Sequence, residues 1–119
     1  MTQNNVSHEN VLASNVTGTR VYNSQGDNLG EVHDIVVGKR DGKVKYAILS
    51  IGGFLGIGEE HNPIPWGELD YSEQKGGFVI NRSREQLSSA PRYAKGSEPD
   101  WSDRSYGEKV YGYYGVPYI

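Results

Sequence analysis

Two short clusters in this 119-residue chain carry side chains suited to acid–base or metal chemistry: His33-Asp34 and Glu59-Glu60-His61. Histidine titrates near neutrality and ligates metals through a neutral ring nitrogen, while carboxylates favour harder cations. Successive side chains of a strand point to opposite faces, so His33 and Asp34 do not chelate one ion side by side. Glu59 and His61 share a face and make two ligands, where a zinc site normally has three or four. A site of His33, Glu59 and His61, the weak metal and catalytic candidate, therefore requires the second and fourth strands to meet. The plain alternative is a solvated rim, with the Asp34 carboxylate accepting backbone hydrogens at a turn or bulge.

Other chemistries find less support. The chain has no cysteine, which removes disulfides, thiolate nucleophiles and zinc–cysteine sites. Its serines lie in turns or at a helix cap, and no Gly-x-Ser-x-Gly elbow occurs. The glycine-rich run at 52–58 lacks the Lys-Ser/Thr end of a phosphate loop and the spacing of a dinucleotide fingerprint. Gly53-Phe54-Leu55-Gly56 matches the GXXG of a KH domain only formally, because its middle residues are apolar and the flanking helices are missing. A net charge of −3 without a basic face argues against nucleic acid as a partner. The expectation is a non-enzymatic protein without cofactor.

Those clusters must be positioned by short elements. Sixteen glycines, nine tyrosines and one methionine indicate tight turns and pleated surface rather than long helices. The length suits one domain with a modest core. Residues 1–11 read as a flexible arm. Strands are expected at 19–22, 29–38 and 43–51, the last two joined by a hairpin at Asp41-Gly42, where a primed turn needs positive backbone angles. The strand at 43–51 is apolar on both alternating faces, as in a central, covered strand. Pro63 and Pro65 mark 59–66 as an edge strand, and strands at 69–71 and 78–80 follow. Ser83-x-x-Gln86 spaces a capping box for a short helix over 84–89 that stops before Pro91.

The apolar residues of the glycine-rich loop, Phe54, Leu55 and Ile57, either plug a barrel mouth or form an interface. Trp66 is a core or rim residue by preference, with an interface role as the alternative. Residues 94–105 are polar around the lone large apolar group Trp101, whereas 106–119 carry Tyr106, Tyr111, Tyr113, Tyr114 and Tyr118. Disordered linkers are poor in aromatics, so this tail is expected to dock on its own sheet or on a second subunit. The opening residues lack the apolar core of a signal peptide, and no run approaches the roughly 20 apolar residues that span a bilayer. A soluble, cytoplasmic protein is expected.

The runs GEVHDIVV (30–37), DGKVKYAILSIGGFLGIG (41–58), Ile-Pro-Trp (64–66) and REQLSSAPRY (84–93) together resemble the PRC-barrel family. That family is named for the cytoplasmic domain of the H subunit of bacterial photosynthetic reaction centres. The closing YGYYGVPY (111–118) resembles the tail of stand-alone bacterial members. The resemblance implies an all-β fold, a small PRC-type barrel of about five or six antiparallel strands with one short C-terminal helix and an aromatic tail. It divides the chain into the arm at 1–11, a barrel domain at 12–93 and the tail at 94–119. It also implies a protein-interaction or assembly module, expected as a homodimer, with Phe54, Leu55, Ile57, Trp66, Tyr111, Tyr113 and Tyr114 as interaction candidates. A peripheral role at the cytoplasmic face of a photosynthetic or electron-transfer membrane complex is the alternative that the same resemblance carries.

Overall fold

The computed structural model describes residues 10–51 and 60–118. The elements run α1 (Ala13–Val16), β1 (Arg20–Asn23), β2 (Asn28–Val37), β3 (Val44–Ile51) and β4 (Glu60–Pro65). A 3-10 turn at Trp66–Glu68 leads to β5 (Leu69–Ser72), β6 (Gly77–Ile80), α2 (Arg84–Ser88), β7 (Tyr93–Ala94) and α3 (Arg104–Tyr113). One sheet holds all seven strands in the order β5-β6-β1-β2-β3-β4-β7. Among the described residues this hydrogen-bonded order is open, since β5 and β7 do not pair.

Three features differ from the expected architecture. The sheet has seven strands because two residues after α2, Tyr93 and Ala94, pair with His61 and Glu60. No local signal marks so short a strand. The pairing is not wholly antiparallel, because β6 returns beside β1 in the parallel sense. No hairpin links those two strands, so nothing local fixes their direction. Finally, the tail contains the ten-residue helix α3 beside the expected short helix α2, and α1 precedes the first strand.

The hairpin, the helix cap and the Asp34 bulge are where they were expected, although the β2–β3 connection is a wider loop over 38–43 than a two-residue primed turn. Gly42 sits at φ 72°, and its amide donates to the Gly38 carbonyl in the β2–β3 turn. At α2 the Ser83 hydroxyl accepts from the Gln86 amide while the Gln86 side chain accepts from the Ser83 amide. That is the complete capping box. Asp34 stands at a bulge in β2, and its Oδ1 accepts from the Ile35 amide at 2.8 Å.

Strand β3 organises the core. Tyr46, Ala47, Ile48 and Leu49 are all buried, so both faces of the strand are covered. Register puts Val32 and Asn62 beside Leu49 on one face, and Asp34 and Pro63 beside Ile48 on the other. Helix α2 adds Leu87 to the core, tied by the Asn62 side-chain amide donating to the Leu87 carbonyl at 3.0 Å.

Gly30 is where strands approach too closely for a side chain. It has φ 142°, and a Cβ there would run into the Ser50 carbonyl oxygen. Gly42, also at positive φ, has open space around the same position. Gly30→Ala should therefore cost about 2–4 kcal/mol from strain and overlap together. Gly42→Ala should cost about 1 kcal/mol from backbone strain alone. Urea unfolding of the two variants measures this, and equal losses would refute the assignment of Gly30 as a steric contact.

Candidate functional site

The histidines singled out by their chemistry do come together, although their strands never meet. His61 of β4 faces Ser50 of β3 in register, and on the other side of β3 His33 stands at the bulge of β2 between the Val32–Leu49 and Asp34–Ile48 pairs. Two steps of roughly 4.8 Å separate such strands. The rings reach over β3 and stack with centroids 4.5 Å apart and planes 26° from parallel. His33 is exposed, whereas His61 is buried. Glu59, the third member of the candidate metal site, lies outside the described residues, as do Phe54, Leu55 and Ile57. Among the described residues no three His, Cys, Asp or Glu side chains converge as a ligand set.

From this pair a chain of aromatic contacts runs across the face of the sheet that the tail covers. His61 meets Tyr93 edge-on at 5.4 Å, and Tyr93 meets Trp101 at 5.7 Å. Trp101 contacts Tyr46 at 5.4 Å and Tyr106 at 6.0 Å. Tyr46 then meets Tyr111, which meets Tyr118 at 5.0 Å. Tilted and edge-to-face contacts at these spacings are the favoured aromatic geometries. Tyr46 is buried beneath, while Tyr93, Trp101, Tyr106, Tyr111 and Tyr118 stay half-exposed and form a continuous band.

Helix α3 holds one end of that band. Asp103 caps it by accepting from the Ser105 amide, and the Ser105 contacts hold the Asp103 carboxyl below its usual range. Gly107 packs directly under the Tyr118 ring, which occupies the space a Cβ would need. At the other end, Gly115 has φ 73°, with its amide bonded to Gly112 and that of Val116 to Tyr111. These two bonds make a Schellman stop. The Tyr111 hydroxyl donates to the Lys45 carbonyl and ties the helix to β3.

The other interaction candidates divide between core and surface. Trp66 is half-buried against the Phe78 ring at 6.1 Å. Tyr113 is exposed, and its hydroxyl donates to the Gln86 carbonyl. Tyr114 lies in the core of its own chain at 2% exposure, with the Arg82 guanidinium 5.2 Å over its ring. Arg82 also donates to the Tyr114 carbonyl at 2.8 Å and pairs with Glu68 at 3.0 Å. Sequence reasoning did not single out Arg82, Tyr93 or Trp101 as site residues. The signal for Trp101 was its isolation in a polar segment; Arg82 and Tyr93 had none, because their partners lie far along the chain.

The PRC-barrel domain family model matches residues 8–87 of this chain. The match ends just before β7 and α3, so the C-terminal half of the aromatic band lies beyond it. An uncharacterised protein of Deinococcus radiodurans is 27% identical over 79 residues, which is 66% of this chain and 28% of that protein. The chain thus spans little more than a quarter of the length of that relative. Among the described residues no helix is long and apolar enough to cross a membrane.

The buried phenols make the band sensitive to alkali. Burial raises the pKa of Tyr46, Tyr93, Tyr106, Tyr111 and Tyr114. For Tyr93, burial and then the Glu98 charge push it up to about 12. The unfolded phenol ionises near pH 10, so above that the unfolded chain releases protons that the folded one retains. The stabilisation held by these neutral phenols is complete below pH 10 and is lost as pH rises above it, for Tyr93 as pH passes through about 12. Tyrosinate absorbance and far-UV circular dichroism should change together in that window, and intact dichroism past full ionisation would contradict it.

Proposed function

The chain belongs to the PRC-barrel domain family, and on that premise we propose that it is a non-enzymatic protein-interaction and assembly module that works as a homodimer. The observation that carries this reading is the half-exposed aromatic band. Interface centres are enriched in Tyr and Trp, because these rings cover large areas with few torsions to freeze. Here the rings are held by mutual edge contacts and by the Tyr111–Lys45 bond, so little order has to be acquired on binding. Exposed Tyr113 and Val37 add apolar surface outside the band.

The same reading takes the curled sheet as the small barrel of the family, closed by side chains where ladder hydrogen bonds leave off. Trp66, just past β4, reaches Phe78 of β6, and Tyr71 of β5 contacts the same ring. Placing the interface on the band makes the module's partner surface a product of the tail rather than of the strands alone.

Sedimentation equilibrium tests the proposal. Over loading concentrations from about 1 to about 100 µM, the chain should approach twice its 13.2 kDa mass. Phe54→Ser with Leu55→Ser, and separately Tyr118→Ser, should each weaken dimerisation by about tenfold or more without altering far-UV dichroism. A monomer at every concentration, together with no crosslinked protein partner in source cells, would remove the proposal.

A further inference from the structure

Beside the histidine pair, at the end of the aromatic band, lies a recess. It is a cavity lined by His33, Asp34, Val36, Tyr93, Glu98 and Trp101, with Ile48 at its floor. Strand β2 supplies His33, Asp34 and Val36, β7 supplies Tyr93, and the loop into α3 supplies Glu98 and Trp101. The lining therefore combines the His33, Tyr93 and Trp101 rings with two carboxylates and contains no lysine or arginine. Among the described residues neither Asp34 nor Glu98 has an ion-pair partner. Asp34 and Glu98 line the same opening as the Tyr93 ring.

We propose that this recess binds a guanidinium group. A flat, weakly hydrated cation stacks on indole and phenol faces and offers a planar fork of donors to carboxylates. Trp101 and Tyr93 supply the faces, and Asp34 and Glu98 supply the acceptors. Asp34 holds its place because Oδ1 is engaged by the Ile35 amide at the bulge, which leaves its second oxygen for the ligand. Ile48 beneath the recess gives an apolar floor that keeps water from the ring faces. A compact ammonium would meet the charges but waste the ring surface, since it keeps its hydration more strongly. The net charge of −3 favours the approach of a cation. The inference needs neither a second copy nor residues 52–59, but it shares Tyr93 and Trp101 with the band assigned to the dimer, so a second copy seated there would compete with the ligand.

A chemical-shift titration of the full chain followed at the Trp101 indole N–H tests it. N-acetyl-arginine methylamide should give a saturating shift with a dissociation constant on the order of a millimolar. The citrulline counterpart, which has the same shape without the charge, should bind about tenfold or more weakly. Glu98→Gln and Asp34→Asn are nearly isosteric and surface-exposed, and each should weaken arginine binding several-fold while the rest of the spectrum stays unchanged. A short peptide with a central arginine distinguishes a side-chain ligand from a free one: tighter binding than the amide assigns a protein source, equal binding a free guanidinium compound. Equal binding of the arginine and citrulline compounds would overturn the proposal. So would the absence of any saturable shift, or indifference to both carboxylate variants. The titration is run at a concentration where sedimentation shows monomer, which keeps failure of guanidinium binding distinct from failure of dimerisation.

Discussion

The double-sided burial of β3 is the constraint from which the rest of the molecule follows. Four consecutive residues, Tyr46-Ala47-Ile48-Leu49, are removed from water, and consecutive strand residues face opposite ways. A sheet with one solvated face cannot hold such a strand. One face is closed by the curl of the sheet and by α2, through Val32, Ile64 and Leu87. The other needs a cover that the strands do not supply. Burying a large apolar side chain stabilises by roughly 2–3 kcal/mol, so exposing Tyr46 and Ile48 would consume much of a small domain's net stability. The tail is that cover, and the aromatic band is its consequence.

The same arithmetic explains why α3 exists. Its sequence, RSYGEKVYGY, is a poor helix: two glycines each cost about 1 kcal/mol relative to alanine, and tyrosine and valine are mediocre formers. An isolated ten-residue helix is marginal even with better residues. Burial of Val110 and Tyr114, each worth a few kcal/mol, outweighs the propensity deficit. The glycines are used as well as tolerated, since Gly107 admits the Tyr118 ring where any Cβ would collide. Arg82 fastens the far end by donating to the Tyr114 carbonyl, the last carbonyl of the helix cap. A charge-assisted bond of this kind is worth more than a neutral one.

The elements legible in the sequence were those governed by local rules. The Asp41-Gly42 hairpin, the double apolar face of β3 and the Ser83–Gln86 box each depend on residues a few positions apart. Their bounds fall within about two residues of the expected ones, the usual disagreement at element ends. What escaped depends on distant partners. Helix α3 was hidden by its low propensity, although Asp103 and the Gly115-Val116-Pro117 stop were signals at its two ends. The β1–β6 parallel pairing and the two-residue β7 have no local signature, because each is fixed by where the sheet has curled. The resemblance to the PRC-barrel family rested on the order of several weak motifs, and the family match spans the same strands. Trp101 and Tyr93 became site residues only once folding set them against Tyr46 and His61.

The histidine pair shows why proximity of reactive side chains differs from a reactive site. A metal draws on ring-nitrogen lone pairs that lie in the imidazole plane and must converge at about 2 Å from one point. In two rings stacked at 4.5 Å and only 26° from parallel, those lone pairs run nearly alongside one another. The arrangement is that of packing surfaces: His61 stacks on His33 and meets Tyr93 nearly at right angles. β3 enforces this geometry, because it separates the two parent strands and lets the rings meet only above its own backbone. The residues that looked most chemical thus extend the aromatic band by two rings. The carboxylate beside them, Asp34, is turned by its bulge toward the recess shared with Trp101. This face thus carries rings and fixed charges, and the strand that buries both of its faces is what holds them in place.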